Sequence, residues 1–387
     1  MINIKYLSFI SFSIVFFFGA INDLLIAYYK PNLVFFDFYP MVLAIFTFFC
    51  ISKARLDYEE LLYLFIISFF FMFILMTVLS SPIVVDEDGN STISVNFFFL
   101  RKAISYVCLG ILFQFYFYEL KKSHSVYMFV FLILIFTYLV DWKLLKLDTL
   151  SYPNTSMWGN YHYLSECLAV LSFLTIAKYS NIKIHSILSI LTIVYLFLLG
   201  SRSTLFVYII TISFFYLLNY GWKTLLKIFV SLFILFILLN NSGILSGFIE
   251  KHFRMFAVLS STGEGSAVTR EILLEKGMRD IIDSPFLGNL GGQVFEGGTL
   301  WGGYIHDWRS YYRQFGLVPF LLFSIIIVVL NIKNYFYYKS NASEKALFGL
   351  LTLIFFSLEI TLSRAYLSTY IFFFIGFSLL KRKSPKL

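Results

Sequence analysis

Three placements of arginine and histidine in this sequence could together bind an anion and move a proton beside it. The first is Gly200-Ser201-Arg202-Ser203, a tight turn between two apolar stretches. Arg202 stands where the next helix begins, and the free amides of a helix start favour negative charge. Snorkelling of its side chain to lipid phosphate is the alternative use. The second is Arg270. At 100° per residue, Arg270, Leu274, Met278 and Ile281 share one narrow face of a helix over 270–283, and Lys276, Arg279 and Asp280 point away from it. Ser284, Pro285 and Gly288 end the segment. A cation in a helix's first turn opposes the helix dipole. Arg270 therefore calls for a nearby anion, either a ligand or one of the carboxylates Glu264, Glu271 and Glu296. The third is His306, which shares a helical face with Arg309, Ser310 and Arg313 at i, i+3, i+4 and i+7. Like charge from the arginines is expected to lower the imidazole's pKa, leaving it neutral and able to accept a proton. A histidine simply packed at an interface is the plainer alternative.

The elements that must position these groups are apolar. The chain is 59% hydrophobic, 21% aromatic and 13% charged, with a mean hydropathy of +0.81. Soluble domains carry about a quarter charged residues. Apolar runs long enough to span a bilayer recur from end to end, and they are continuous rather than alternating in polarity. The fold class expected is therefore an all-α polytopic membrane protein, not a barrel. About twelve transmembrane helices are predicted by the twenty-residue criterion. They lie near 6–28, 33–52, 61–80, 99–118, 126–141, 161–178, 186–200, 203–219, 224–242, 315–332, 345–361 and 365–380. The whole of 1–387 reads as one integral membrane domain, with 243–314 as a large extracytoplasmic loop containing amphipathic helices.

Lys53 and Arg55, Lys121 and Lys122, Lys178 and Lys183, Lys223 and Lys227, and Lys333, Lys339 and Lys345 fall on alternate connections, and Lys381, Arg382, Lys383 and Lys386 fall on the same side. The positive-inside rule makes that side cytoplasmic, with both termini inside and the first span retained rather than cleaved. The turn at 200–203 and the loop 243–314 then share the outer side. The formal charge of +8 is spread over short connections as a topology signal, so it does not point to nucleic acid. Residues 244–314 hold seven Lys and Arg against eight Asp and Glu, so any anion site there must come from local placement. Cys50, Cys108 and Cys167 lie in apolar runs and give no disulfide framework or metal spacing. The glycines at 288, 291, 292, 297, 298, 302 and 303 fit no phosphate-binding fingerprint and read as a loop that admits substrate.

With these residues placed, the chain resembles the O-antigen polymerase and O-antigen ligase superfamily of bacterial envelope polysaccharide synthesis. Gly200-Ser201-Arg202-Ser203 is similar to that family's Ser-Arg turn before a span. Arg270 to Ile281, with Pro285 and Gly288, is similar to its external helix. His306-Asp307, Tyr311 and Gly316 resemble its His-Asn, aromatic, Gly signature, with Asp307 departing from the asparagine. The motifs cover roughly residues 185–320.

The resemblance implies a polymerase of undecaprenyl-diphosphate-linked oligosaccharide repeat units, working at the periplasmic face of the inner membrane without cofactor or metal. It also implies chain-length regulator and flippase proteins as partners. Arg202 and Arg270 would clamp the diphosphate leaving group, and His306 would take the acceptor's proton. Arg309 and Arg313 would add phosphate contacts, and Trp301 and Trp308, with Trp158, would stack on sugar rings. Three other uses are weighed against this one. An O-antigen ligase or related oligosaccharyltransferase would share the same motifs. A metal-dependent transferase would use Asp141, Asp148, His162 and Glu166. A lipid-linked glycan flippase or transporter would rest on Asp23, Asp37, Glu166 and Glu359, the last beside Arg364.

Overall fold

The computed structural model describes residues 12–18, 20, 57–86, 89, 91–141, 146–147, 160–241, 265–297, 305–363 and 368–379. Among them are twelve α-helices. They are α1 (Tyr58–Ser80), α2 (Thr92–Tyr116), α3 (Lys122–Leu139), α4 (Asn160–Lys178), α5 (Ile182–Leu198), α6 (Arg202–Asn241), α7 (Gly265–Asp283), α8 (Gly292–Gly297), α9 (Arg309–Phe315), α10 (Leu317–Asn341), α11 (Glu344–Leu362) and α12 (Tyr370–Leu379). Two-residue strands at Val140–Asp141 and Lys146–Leu147 pair antiparallel. The expected spans 33–52 and most of 6–28 lie outside the described residues, as do 242–264 and 298–304 of the long loop.

Five of the helical segments are long and apolar enough to cross a membrane: Tyr58–Ser80, Thr92–Phe115, Arg202–Lys227, Leu317–Asn341 and Glu344–Leu362. On two of them the outward side chains are apolar. Val318, Leu321, Ile325, Val328, Ile332 and Phe336 form one exposed stripe along α10, and Leu61, Phe65, Met72, Met76 and Leu79 are exposed on α1. Such stripes suit a hydrocarbon solvent and would be a liability in water. A membrane protein built of α-helices is the structure's plain statement.

The residues at the helix ends explain where the helices stop. Asp57 and Ser91 close capping boxes at the starts of α1 and α2, and Asn181 and Ser343 cap α5 and α11. The two spans expected at 203–219 and 224–242 both fall within α6, which is broken into two helical stretches at Gly221, where φ is +75°. Only glycine adopts that conformation without strain. α2 begins at Thr92 rather than near 99, and α10 continues to Asn341 rather than ending near 332, because caps and not hydropathy set those ends.

The chain divides into two compact units: Met1–Val15 with Asn32–Leu120 and Val268–Leu387, and Phe16–Pro31 with Lys121–Ala267. In the first, α12 is buried from Ile371 to Leu379, and it packs most closely on α2. A β-carbon at Gly110 would lie 1.9 Å from the Phe373 carbonyl oxygen, and one at Gly376 would lie 2.0 Å from that of Val107. The two backbones touch through reciprocal glycines, the usual way helices associate closely in lipid. Phe113, Phe117, Phe348, Phe373 and Phe377 close around this crossing.

In the second unit α4 is buried from Leu164 to Lys178. Polar pairs hold it and its neighbours together. Ser172 and Tyr208 share a 2.7 Å hydrogen bond, Thr175 donates to the Ser125 carbonyl at 3.3 Å, and Thr137 is bonded to Tyr195.

Because the Gly110–Gly376 contact is backbone on backbone, Gly376→Ala has no room to relax. It is expected to destabilise the protein by about 1–3 kcal/mol or more, as overpacked cores do. Thermal unfolding of the detergent-purified chain, with Gly349→Ala as the milder neighbour, reads this out: at Gly349 the nearest atoms to an added β-carbon are side-chain atoms 3.3–3.4 Å away.

Candidate functional site

In the first unit the segment after α7 crosses the end of α9, and glycine makes the crossing possible. Gly288 has φ +74° and Gly316 has φ +79°. A β-carbon on Gly288 would lie 2.5 Å from the Gly316 nitrogen, and one on Gly316 would lie 2.1 Å from the Phe286 carbonyl oxygen. The Pro285–Gly288 run and the Tyr311–Gly316 run, two separate sequence motifs, are therefore pressed together. Side chains lock the crossing. Arg313 Nε donates to Asp280 Oδ2 at 2.5 Å, and Asn289 Nδ2 donates to Asp280 Oδ1 at 2.9 Å. The Asn289 backbone N–H donates to the Arg313 carbonyl at 2.6 Å. One layer further in, Gln314 Nε2 donates to Gln293 Oε1 at 2.8 Å and Gln314 Oε1 accepts from the Gly291 N–H at 3.2 Å. Tyr311 is buried, its ring stacked on Phe323 at 4.1 Å.

This arrangement sorts the expected site residues. Arg313, expected among the phosphate contacts, is fully buried, and its guanidinium is held by Asp280. It is a structural ion pair, and Asp280, expected to point away, is its partner. A helical stripe gives the spacing of side chains but not which edge of the stripe faces the interior.

Arg309 is half-buried and bonded through Nε and a terminal nitrogen to Asp307, at 3.0 and 2.5 Å. That hydrogen bond raises its pKa above the ordinary guanidinium value, against a smaller opposing effect of burial. Asp307 also accepts from the Arg309 backbone N–H at 2.9 Å, doing the work of a cap at the start of α9. Trp308 is 40% exposed, and its ring lies 4.9 Å from that of Phe320. Trp301 lies outside the described residues, as does Trp158.

Arg270 is exposed and makes no ion pair among the described residues. α7 begins at Gly265, so Arg270 stands in its second turn, and the expected clash with the helix dipole is weaker than a first-turn placement implies. Arg270 nevertheless shares a side with the part of α7 that packs. It precedes Gly277 by seven residues, two turns and about 10 Å along the axis. A β-carbon on Gly277 would lie 2.5 Å from the Ile305 side chain. Ile305 is buried there and His306 follows it, half-buried. The histidine is thus moored to the face of the helix that carries Arg270. Arg279 lies on the far side, its side chain 71% exposed and paired with Glu275 at 2.6 Å.

The second unit holds the remaining site residues. Gly200, at φ +72°, turns the chain out of α5, and Arg202, half-buried, begins α6. Ser201 between them is fully buried and donates to Thr204 Oγ1 at 2.8 Å. His162, in the first turn of α4, has Nδ1 3.1 Å from Ser201 Oγ. With Ser201 donating to Thr204, the imidazole Nδ1 is the natural donor to Ser201. The sequence offered His162 and Glu166 as metal ligands, and the structure gives His162 a different duty, fixing the turn that presents Arg202. The start of α4 and the 200–203 turn share a side in the topology expected from the charged connections, and that is the signal in the sequence for this pairing. Among the described residues no three His, Cys, Asp or Glu side chains gather as a metal group. Asp148 of the proposed set lies outside them.

What the residues can do chemically follows from exposure. In the first unit Arg270, His306 and Arg309 keep surface exposed, with Arg313 and Asp280 setting the backbone around them; in the second, Arg202 keeps surface exposed beside the buried Ser201. No family model matches the chain, and no curated protein matches it.

Two stability measurements check these assignments. Asp280→Ala leaves a buried guanidinium unmatched and is expected to cost about 3–5 kcal/mol, while Arg279→Ala, on the exposed face, stays within about 0.5 kcal/mol of wild type. His162→Ala removes the donor to a buried hydroxyl and is expected to cost about 1–2 kcal/mol. His162→Asn places an amide N–H near the position of Nδ1 and is expected to recover most of that loss. Thermal unfolding of each purified variant in one detergent reads all four.

Proposed function

We propose that this chain is a polysaccharide polymerase that joins undecaprenyl-diphosphate-linked oligosaccharide repeat units into a surface polysaccharide at the outer face of a bacterial inner membrane. The proposal includes about twelve spans, both termini in the cytoplasm and the 243–314 segment in the periplasm. In the reaction, a hydroxyl oxygen of the acceptor sugar attacks the anomeric carbon of the donor chain. The bond from that carbon to the diphosphate breaks, and undecaprenyl diphosphate leaves.

His306 takes the hydroxyl proton as the new bond forms. Arg270 and Arg202 hold the diphosphate and stabilise the charge that grows on it as it leaves. Arg309 reaches the same anion only by sharing itself with Asp307, so its role is secondary. Trp308 and Trp301 offer ring faces to the sugars. Arg313 and Asp280 act through the fold, not on the substrate.

The observation that carries this reading is the seating of Ile305 on Gly277, which ties His306 to the side of α7 bearing Arg270. A base and a cation on one face, in a chain whose long helices suit a bilayer, match a reaction between a lipid diphosphate and a hydroxyl. Chain-length regulator and flippase proteins would be the partners in the cell.

The test is polymer formation by purified protein in detergent, given lipid-linked repeats. Arg202→Ala, Arg270→Ala and His306→Ala are each expected to lower the rate about a hundredfold or more at normal protein level, with Arg279→Ala unchanged. A transporter would form no new glycosidic bond. Equal activity in the Arg270 and Arg279 variants would remove Arg270 from the site. In a deletion strain, single repeats left on the lipid core indicate a polymerase, and none attached indicates a ligase.

A further inference from the structure

We propose that Phe286 and Leu287, on the turn that follows α7, insert into the bilayer beside the point where α10 enters it. This docking to lipid rests on the membrane-spanning character of α10 and is independent of the catalytic reading. Phe286 is 72% exposed and Leu287 79%. Ile282, in the last turn of α7, is exposed as well. Two large apolar side chains held out together at a turn suit an apolar surrounding and would be a liability in water.

The backbone fixes where this turn sits. A β-carbon on Gly316 would lie 2.1 Å from the Phe286 carbonyl oxygen and 2.8 Å from the Leu287 carbonyl carbon. Gly316 is the residue from which α10 starts. Phe286 and Leu287 are therefore at the depth at which α10 meets the bilayer. Two further features mark that depth. The exposed apolar stripe of α10 begins at Val318 and Leu321, just past Gly316, and α10 is long and apolar enough to cross a membrane. At the same end the rings of Trp308 and Tyr312 lie 4.9 and 5.0 Å from that of Phe320, and aromatic side chains gather at membrane–water interfaces.

The apolar turn thus continues the lipid-facing stripe of α10 at the boundary of headgroups and acyl chains, where interfacial segments bury their apolar side chains. Charge limits the insertion. Asp283 is exposed just before the turn, and the Arg279–Glu275 pair is exposed further back on α7. Charged groups are costly in hydrocarbon, so Phe286 and Leu287 enter it while α7 stays at the surface. A protein partner fits less well. A stable protein interface takes about 20–30 residues a side, and the apolar patch here is Ile282, Phe286 and Leu287. Anchored in this way, the crossing of the two glycine segments is held against the bilayer surface.

Nitroxide labels on the full chain test this, in vesicles of phosphatidylethanolamine and phosphatidylglycerol. Cys50, Cys108 and Cys167 are first replaced by Ala, and labels are then placed singly through Phe286→Cys, Leu287→Cys, Leu321→Cys and Glu275→Cys. All four positions are exposed, so each substitution is expected to be tolerated. Collisions with oxygen, which concentrates in the bilayer, are compared with collisions with a water-soluble nickel chelate. The oxygen-to-nickel ratio at 286 and 287 is expected to approach that at 321 and to exceed that at 275. A ratio at 286 and 287 as low as at 275 would put the turn in water and overturn the proposal. Exclusion of both reagents would mean that another segment or a second copy of the chain covers the turn, which overturns it equally. A low ratio at 321 would take α10 out of the bilayer, and the proposal with it. A benzophenone side chain at 286, in the chain with its natural cysteines, gives a second reading: transfer to phospholipid on illumination supports the proposal, and transfer only to protein overturns it.

Discussion

A guanidinium with no surface at all must have its charge answered inside the protein, and at Arg313 the answer is Asp280. Removing either partner leaves an ion in a medium that cannot solvate it, so the two helices carrying them have no freedom to separate. The pair spans the glycine crossing of the 284–291 and 313–316 segments. Asn289 bonds both the carboxylate and the Arg313 backbone, so the crossing and the ion pair stabilise one another. The placement of His306 depends on this knot, because Ile305 packs against Gly277 beside Arg313 and His306 follows it just before α9. The polar residues inside it are arranged so that Asp280, Asn289, Gln293 and Gln314 meet partners among themselves, as a buried network must to be worth having.

The rest of the molecule faces the opposite problem. Where helices are surrounded by hydrocarbon, apolar side chains gain nothing by leaving it for one another, and association rests on close packing and hydrogen bonds. The first unit uses the glycine pair at 110 and 376. The second uses hydroxyls, with serine, threonine and tyrosine bonded between helices at Ser172–Tyr208 and Thr175–Ser125. His185 belongs to the same class: it bonds the Tyr220 hydroxyl at 2.8 Å and the Tyr179 carbonyl oxygen at 2.7 Å, next to the break at Gly221. A phenylalanine-rich sequence thus obtains its specificity from a few small and polar residues.

Those proportions decide what could be read from the residues alone. Long apolar runs announce helices, so α1, α4, α5 and α11 lie where hydropathy puts them, and Lys223 and Lys227, just after Gly221, marked the break in α6. The ends of α2 and α10 were misplaced because polar residues continue a helix as readily as they end it when no cap intervenes. Arg101 and Lys102 lie well inside α2 for that reason. Within the candidate site, the outward face of α7 at Arg279 was legible from period alone. The inward turn of Asp280 was not, since it sits at the edge of the packed face and its partner is thirty-three residues away. The Ser201–His162 bond is equally non-local. It needed the common side of two loops and the knowledge that a buried serine requires a partner.

The aspartate at 307 bears on how charge is shared across the site. The resemblance would place an asparagine there, which can cap a helix start but cannot neutralise an arginine. Asp307 does both, taking the Arg309 amide and the Arg309 guanidinium on one carboxylate. A cation already matched in this way draws a second anion less strongly than an unmatched one, because part of its field is cancelled at short range. Asp307 therefore makes Arg309 a lock on the start of α9. Arg270, by contrast, is exposed and makes no ion pair among the described residues. Three arginines of one polar segment thus differ in kind: Arg313 holds the fold, Arg309 holds the helix that follows His306, and Arg270 is exposed.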